Sequence, residues 1–322
     1  MTKEKITAAL GHRYDTLYLH NEAIVLPDYA LEFPDVGEHP WVGFNRMVTS
    51  LPWDIGEQAF SHYLIAKDQG VPLTAIPAFP SRFFPQLGAV VSKQANIQAP
   101  KDLEGKRVGV MGFGYNPAVW LKHLLKNYHG VDIEKIIWVE DDNDLFLKGL
   151  NYPKDSRFTI EKISKFTGLE TAGSNPQTVD ALDEGVLDAF FAPAAGPPLT
   201  DKTERLFRDP YPMLQKWLDD GGIMPINTLV TIRKETVKKY PGLPQQLFNA
   251  LKIARQRYHQ EDALKDIHLG IETEFLFKNK LFPDQYGLEA NLQPIEEMIK
   301  ACYDQGVIKT KYSPEDLFVP VS

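Results

Sequence analysis

The sequence predicts an α/β protein of two lobes, with mixed sheets flanked by helices. Three observations lead to this expectation. The chain has 322 residues, more than one hydrophobic core usually holds, so two units of about 150 residues are expected. Short strand-like runs alternate with helical patterns through most of the chain. The composition, with 43% hydrophobic and 24% charged residues, is that of ordinary globular domains.

The elements of the first third follow from apolar runs and helix breakers. Strands are predicted at residues 6–10, 73–76 and 87–92, helices at 43–51 and 58–68, and a strand end or turn at 53–56. Gly70 and Pro72 end the second helix. Pro80 and Pro85 bound a segment that restricts the backbone without continuing a helix, and this segment is a predicted crossing between the lobes.

A glycine-rich turn marks the middle of the chain. Gly112 and Gly114 follow a strand at residues 108–110 and precede a helix at residues 118–128. Such a turn presents free backbone N–H groups, so an anion can bind there. The dinucleotide-binding fingerprint is absent, because Pro117 occupies its last glycine position and no acidic ribose ligand follows. A nicotinamide or flavin dinucleotide is therefore not expected.

The rest of the chain continues the alternation. Strands are predicted at residues 136–139, 187–192 and 226–232, and helices at 178–184, 244–258 and 292–305. Compact two-lobed folds are commonly discontinuous in sequence. Residues 1–87 and 224–322 are therefore predicted to form lobe I, and residues 88–223 lobe II.

Charge and composition exclude several classes of function. The net charge is −8 and no run of Lys and Arg forms a basic patch, so nucleic-acid binding is not expected. The single cysteine, Cys302, excludes an intramolecular disulfide and is expected to be buried. No apolar stretch of membrane-spanning length and no leader is visible, which predicts a cytoplasmic protein, or a periplasmic one if a leader has been removed. A homo-oligomer is left open.

Metal ions and organic cofactors are not predicted. The histidines lack ligand spacing, and no phosphate loop or Schiff-base lysine can be identified. The acidic run Glu140-Asp141-Asp142 fits a solvated face, although three carboxylates could hold a hard cation.

Several blocks resemble the 4,5-dihydroxyphthalate decarboxylase family. The matches are Phe44, Arg46, Met47, Asp54, Glu57, Ser61 and Phe79-Pro80-Ser81-Arg82 with Phe84, and the block from Arg46 to Arg82 is the most specific. Further matches are Tyr14-Asp15, the segment of residues 101–107, Ala118-Val119-Trp120, Gly130-Val131-Asp132 and Ile137-Trp138-Val139. Residues 102–107 are typical of solute-binding proteins of many kinds and support only the fold. The second half matches thinly. After Pro225-Ile226, where the family is expected to carry a histidine, this sequence has Asn227-Thr228.

The resemblance implies the type II periplasmic-binding-protein fold, with a ligand cleft between the lobes. It also implies a carboxy-lyase that acts without a cofactor on a hydroxylated aromatic dicarboxylate such as 4,5-dihydroxyphthalate. The products would be 3,4-dihydroxybenzoate and CO₂. The alternative is a non-catalytic solute-binding protein that delivers a small anionic aromatic or heterocyclic compound to an ABC-type transporter, since this fold mostly serves solute capture.

The candidate substrate-binding residues suit an anionic aromatic ring. Arginine grips carboxylates bidentately, aromatic side chains stack on rings, and hydroxyl or amide groups add polar contacts. The candidates are Arg13, Tyr14, Arg46, Ser61, Phe79, Ser81, Arg82, Tyr115 and Asn116, with Phe83, Phe84 and Trp120 as further stacking groups. The alternatives are surface ion pairs for the arginines and core packing for the aromatics.

Decarboxylation of an electron-rich ring needs one acid and one base. Glu57 and His62 are candidates for the acid that protonates the ring carbon, and Asp54 for the base. A turn entering a helix would bring Asp54 and Glu57 to the same edge of the cleft. Helix capping is the competing explanation for both carboxylates.

Overall fold

The structure is a computed structural model. It describes residues 3–12, 14–36, 41–141, 147–153, 155–163, 176–192, 196–261, 267–268, 271–281 and 285–322. The chain divides into two compact units: Met1–Arg82, Ile226–Ile299 and Thr310–Ser322 form the first, and Phe83–Pro225 and Lys300–Lys309 the second. The predicted lobes divide at residues 87 and 224 and leave residues 300–309 in lobe I, whereas contacts group that segment with the second unit.

The secondary structure alternates strands and helices. The strands are β1 (Glu4–Ala9), β2 (Tyr29–Glu32), β3 (Ile55–Ala59), β4 (Leu73–Ile76), β5 (Ala89–Ser92), β6 (Arg107–Val110), β7 (Ile137–Asp141), β8 (Thr159–Ile163), β9 (Ala189–Phe191), β10 (Thr203–Arg205), β11 (Thr228–Arg233), β12 (Ile267–His268) and β13 (Ile271–Glu272). The helices are α1 (Leu17–His20), α2 (Trp41–Thr49), α3 (Phe60–Asp68), α4 (Asn116–Tyr128), α5 (Pro176–Asp183), α6 (Pro210–Asp219), α7 (Lys234–Lys239), α8 (Leu243–Glu261), α9 (Thr273–Lys278) and α10 (Leu292–Asp304). None of these helices, over the described residues, is long and apolar enough to cross a bilayer.

The first unit is built on a five-stranded sheet in the order β2-β1-β3-β11-β4. β1 pairs in parallel with β2 and β3, and β11 runs antiparallel to both β3 and β4. Helices α2 and α3 pack against β3, and α8 packs against α1. Ile6, Ile55, Ile76 and Val230 are fully buried in its core.

The second unit is built on a six-stranded sheet in the order β10-β5-β9-β6-β7-β8. Its inner strands β9, β6 and β7 are parallel, while β5 runs antiparallel to β9 and β10. Helices α4 and α5 contact β9. Trp120, Trp138 and Phe190 are fully buried, as are Phe84 and Val108.

One predicted helix begins too early. The sequence predicts a helix over residues 58–68, but Gln58 and Ala59 belong to β3 and the helix begins at Phe60. The reason is long-range pairing, because β11 matches Ala59 with Thr228 and Gln58 with Leu229. Pairing with a distant strand overrides the local helical pattern. Glu57 therefore lies within a strand and does not cap a helix.

A buried charged cluster holds the glycine turn of the second unit. Glu140 Oε1 accepts a hydrogen bond from the Phe113 amide at 2.6 Å, and Lys122 Nζ donates to the Phe113 carbonyl at 2.6 Å. Lys122 is fully buried and Glu140 is 1% exposed. Burial lowers the pKa of Lys122 well below its ordinary value, and the charge of Glu140 opposes part of that shift. The prediction that the acidic run is a solvated face is wrong for Glu140, because its carboxylate turns inward to bind this turn.

Removal of the Glu140 charge should destabilise the protein. Glu140→Gln removes the buried carboxylate charge that interacts with Lys122, so we expect the free energy of unfolding to fall by about 3 kcal/mol. The measurement is urea unfolding at pH 7. The double variant Lys122→Met/Glu140→Gln should regain at least half of the loss, because neither of these two side chains can then carry a charge. Equal stability of Glu140→Gln and the parent protein would contradict this account.

Candidate active site

The first sheet brings chemically active side chains to one edge. Because β11 is antiparallel to β3 and β4, the carboxyl ends of those two strands meet the amino end of β11. β1 ends at the same edge, since it is parallel to β3. In α/β sheets, ligands bind outside the carboxyl ends of the strands. This carboxyl edge is therefore the candidate active site of the first unit.

Glu57 is the middle residue of β3, and its buried carboxyl group reaches the carboxyl edge, where it contacts Gly11 and Thr228. It is 2% exposed, and its Oε1 accepts a hydrogen bond from the Thr228 hydroxyl at 2.6 Å. Its Oε2 accepts a longer one from the Gly11 amide at 3.4 Å. The Thr228 hydroxyl in turn accepts a hydrogen bond from the Ser81 amide at 3.0 Å, so its own proton is directed to Glu57. A hydrogen-bonded chain thus joins the Ser81 backbone, Thr228 and Glu57.

The segment of residues 77–82 follows β4 at this edge and carries three of the predicted binding residues. Ser81 is 7% exposed, and its carbonyl accepts hydrogen bonds from the Asn227 and Thr228 amides. Arg82 is partly buried and donates through Nη1 to Asn291 Oδ1 at 2.8 Å. Phe79 is fully buried and contacts the Tyr286 ring edge to face, at 6.5 Å between ring centroids. These contacts connect the segment of residues 77–82 with Glu57 through Thr228, and the substrate-binding role of Ser81 and Arg82 stays a prediction.

Asp54 does not share this edge. It precedes β3 at the opposite end of the strand, and its Oδ2 accepts hydrogen bonds from the Thr7 amide at 3.0 Å and the Thr7 hydroxyl at 2.8 Å. The Thr236 hydroxyl donates to Oδ1 at 2.8 Å. Burial raises the pKa of Asp54, but these hydrogen bonds outweigh burial and the net pKa is lowered. Three residues of extended strand span about 10 Å. The expectation that Asp54 and Glu57 line the same edge is therefore wrong, and the contacts of Asp54 join β1, β3 and α7.

His62 and Ser61 lie in the first turns of α3. Both are fully buried, and the Phe44 ring stands edge to face with the imidazole of His62 at 6.1 Å. Burial lowers the pKa of His62 to about 3. The side chain is therefore neutral at physiological pH, so the prediction that it could serve as an imidazolium acid conflicts with its surroundings. Of the two predicted acids, the structure favours Glu57.

Two of the three predicted arginines have described contacts, and the partners in these contacts differ: Arg82 binds Asn291 and Arg46 lies against Trp53. Arg46 is exposed on α2, and its guanidinium lies 4.7 Å from the centre of the Trp53 ring. Arg13 lies outside the described residues, and Tyr14 begins a 3-10 turn, with its side chain also outside them. Within the described contacts, Ser81, which precedes Arg82, is linked to Glu57 through Thr228, whereas Arg46 contacts Trp53.

Tyr115 and Asn116 stand at the start of α4 in the second unit. They are 6% and 1% exposed, and the turn that precedes them is held by Glu140 and Lys122 as described above. The Gly114 amide also donates to the Tyr152 hydroxyl at 3.3 Å, and Tyr152 donates to Glu140 at 3.0 Å. The predicted glycine turn is thus built as a rigid feature, and its ligand role stays a prediction.

Several residues of the carboxyl edge escape prediction from sequence. Arg255, on α8, is 3% exposed and has its Nε 3.1 Å from Asp15 Oδ2. Tyr286 donates to the same Asp15 oxygen at 2.5 Å. Arg255 did leave a signal: it stands on the apolar stripe of its helix with Leu251 and Ala254, where a charged residue is seldom unpaired. Over the described residues, no group of three potential metal ligands lies together.

The burial of His62 predicts that the free energy of unfolding decreases as the pH falls below 7. Its folded pKa of about 3 lies below the unfolded value of 6.5, so the unfolded chain takes up the proton first as the pH falls. The free energy of unfolding should then decrease by about 2 kcal/mol from this residue between pH 7 and pH 5. Urea unfolding at both pH values should show a correspondingly smaller pH dependence for His62→Leu. Substitution of the exposed His12 by Leu is the control; an equal effect of the two would contradict the assignment.

Comparison with known sequences supports the resemblance. A curated 4,5-dihydroxyphthalate decarboxylase from Comamonas testosteroni is 27% identical over 295 residues, which cover 87% of this chain and 86% of that protein. A second protein of the same name, from Pseudomonas putida, is 28% identical over 180 residues, which cover 54% of this chain and 66% of that protein. The family profile described as NMT1/THI5 like matches residues 42–188.

Comparison with solved structures concerns the fold alone. The periplasmic aliphatic sulphonate binding protein SsuA from Escherichia coli superposes with a TM-score of 0.52 at 13% identity, over 98% of each chain. The predicted fold class, the two-lobed α/β fold of periplasmic solute-binding proteins, is confirmed. Over most of its length, the chain is therefore similar in sequence to proteins named 4,5-dihydroxyphthalate decarboxylase and in fold to solute-binding proteins.

Proposed function

We propose that this chain is a carboxy-lyase that converts a hydroxylated aromatic dicarboxylate, such as 4,5-dihydroxyphthalate, into 3,4-dihydroxybenzoate and CO₂. The observation that carries the proposal is Glu57, a buried carboxyl group at the carboxyl edge of the sheet, linked through Thr228 to the segment that bears Arg82. Two curated relatives named 4,5-dihydroxyphthalate decarboxylase support the same reaction class.

The reaction replaces a carbon–carbon bond with a carbon–hydrogen bond. A proton is added to the ring carbon that bears the leaving carboxylate, the bond to that carboxylate breaks, and its electron pair returns to the ring as CO₂ departs. Glu57 is the proposed proton donor. Arg82 is the proposed cation for a substrate carboxylate.

Turnover by matched variants tests the proposal. The purified protein, mixed with 4,5-dihydroxyphthalate, should release CO₂ and change the absorbance of the ring. Glu57→Gln should lower kcat by about 100-fold or more, because a general acid typically contributes that much. Arg82→Ala should raise KM by about 10- to 100-fold through loss of a charge-assisted contact.

Asp54→Asn is the control for a carboxyl group, since its hydrogen bonds to Thr7 and Thr236 assign it a structural role. We expect its kcat to stay within about threefold of the parent value while the melting temperature falls. Thermal stabilisation by 4,5-dihydroxyphthalate without CO₂ release would instead favour a non-catalytic solute-binding protein, the alternative that the fold supports.

The hydrogen bond from Thr228 should orient the Glu57 carboxyl group for the reaction. Thr228→Val is nearly isosteric but removes the donor to Glu57, so we expect kcat to fall about tenfold. Thr228→Ser keeps a hydroxyl group and should retain kcat within about twofold of the parent value. Equal kcat values for Thr228→Val and Thr228→Ser would show that this hydrogen bond does not act on the reaction.

A further inference from the structure

The segment of residues 77–81 is irregular backbone that lies entirely in the interior of the first unit. Buried carbonyl groups need hydrogen-bond partners. The Pro77 carbonyl receives the Gly287 amide at 2.8 Å, and the Ala78 carbonyl receives the Val230 amide at 3.1 Å. The next two carbonyls, of Phe79 and Pro80, both receive Arg255 Nη2, at 2.9 Å and 3.2 Å. A single side chain from α8 therefore serves two consecutive carbonyls of this segment.

Arg255 is itself held by two buried partners. Asp15 is fully buried and Tyr286 is 7% exposed. Arg255 Nη2 donates to the Tyr286 hydroxyl at 2.6 Å, and its guanidinium carbon lies 4.7 Å from the centre of the Tyr286 ring. The Tyr286 hydroxyl in turn donates a hydrogen bond to Asp15 Oδ2. Arg255, Asp15 and Tyr286 thus form a closed buried cluster, named the Arg255 cluster below.

A buried ion pair contributes little net stability, because desolvation of the two charges offsets their attraction. What the Arg255 cluster provides is a fixed geometry. A guanidinium presents its donors in a rigid plane, so two carbonyls bound to it lie at set positions. The two residues that follow these carbonyls are Ser81 and Arg82. The Ser81 amide donates to the Thr228 hydroxyl, and the Arg82 guanidinium donates to Asn291.

We propose that Arg255, with Asp15 and Tyr286, positions the backbone of residues 79–82 so that Arg82 meets a substrate carboxylate. These are positioning residues, which act through Arg82 and the Ser81 amide and do not touch the reacting atoms. The expected effect on KM rests on the proposed decarboxylase function. The structural consequence, a backbone segment held by the Arg255 cluster, does not depend on turnover.

Two tyrosine variants with the same chemical change test the proposal. Tyr286→Phe removes the hydroxyl group that links Arg255 to Asp15. Tyr63→Phe removes another buried hydroxyl group of the same unit, which donates its hydrogen bond to the Leu317 carbonyl, outside residues 79–82, at 2.5 Å. We expect Tyr286→Phe to raise KM for 4,5-dihydroxyphthalate about tenfold with kcat within about twofold. Tyr63→Phe should leave both constants within about twofold at a comparable fall in melting temperature.

A conservative substitution at Arg255 separates positioning from charge. Arg255→Lys keeps the cation beside Asp15, but an ammonium cannot reproduce the planar fork, so we expect a higher KM than in the parent protein. Arg255→Met should raise KM further. A KM for Tyr286→Phe equal to that of Tyr63→Phe would overturn the proposal.

Amide hydrogen exchange of the ligand-free protein gives a readout independent of activity. The amides of Ser81, Asn227 and Thr228, which take part in the hydrogen bonds around this segment, should exchange faster in Tyr286→Phe and at the parent rate in Tyr63→Phe. If the parent protein releases no CO₂, the proposed function fails while this exchange experiment still decides the positioning role. Unchanged exchange in Tyr286→Phe would overturn that role whatever the activity.

Discussion

The candidate site depends on the need of buried backbone for hydrogen-bond partners. After β4 ends at Ile76, the chain stays in the interior for five more residues without forming a regular strand. The carbonyls of that stretch find donors in three distant parts of the chain: the Gly287 amide beyond α9, amides at the start of β11, and the guanidinium of Arg255, which serves two of them. Because a carbonyl without a partner would cost free energy, these donors and the segment specify one another.

Each of the two units contains a turn whose backbone is bound by a buried basic side chain. In the first, Arg255 is paired with Asp15 and binds carbonyls of a proline-containing turn; in the second, Lys122 shares the Phe113 peptide with Glu140. In both, a buried cation from a helix donates to a carbonyl of a turn that follows a strand. Such an arrangement contributes little net stability but holds the backbone in one conformation. Turns held in this way suit ligand recognition, since their hydrogen-bonding groups are already in place.

Prediction from sequence succeeded where local pattern and spacing determine structure. The strand of residues 73–76 and the end of the helix at Tyr128 agree with the structure. It failed where a distant segment decides. Asp54 and Glu57 were placed together because a turn was expected between them, whereas pairing with β11 makes the intervening residues a strand. The link from Arg255 to residue 79 spans 176 positions, and that from Tyr286 to Asp15 spans 271. No periodicity within a helix or strand encodes such contacts.

The place of β11 also bears on the order in which the molecule can be made. This strand lies between β3 and β4, yet the whole stretch Phe83–Pro225 of the second unit is synthesised before it. Until β11 emerges from the ribosome, β3 and β4 have no strand between them, and Glu57 lacks the Thr228 hydroxyl. Pairings of such large sequence separation form slowly, because the entropy of loop closure must be overcome first. During synthesis, β3 and β4 therefore emerge early but gain their common neighbour β11 late. Until then their unpaired edges expose backbone hydrogen-bonding groups, which chaperones can protect from aggregation.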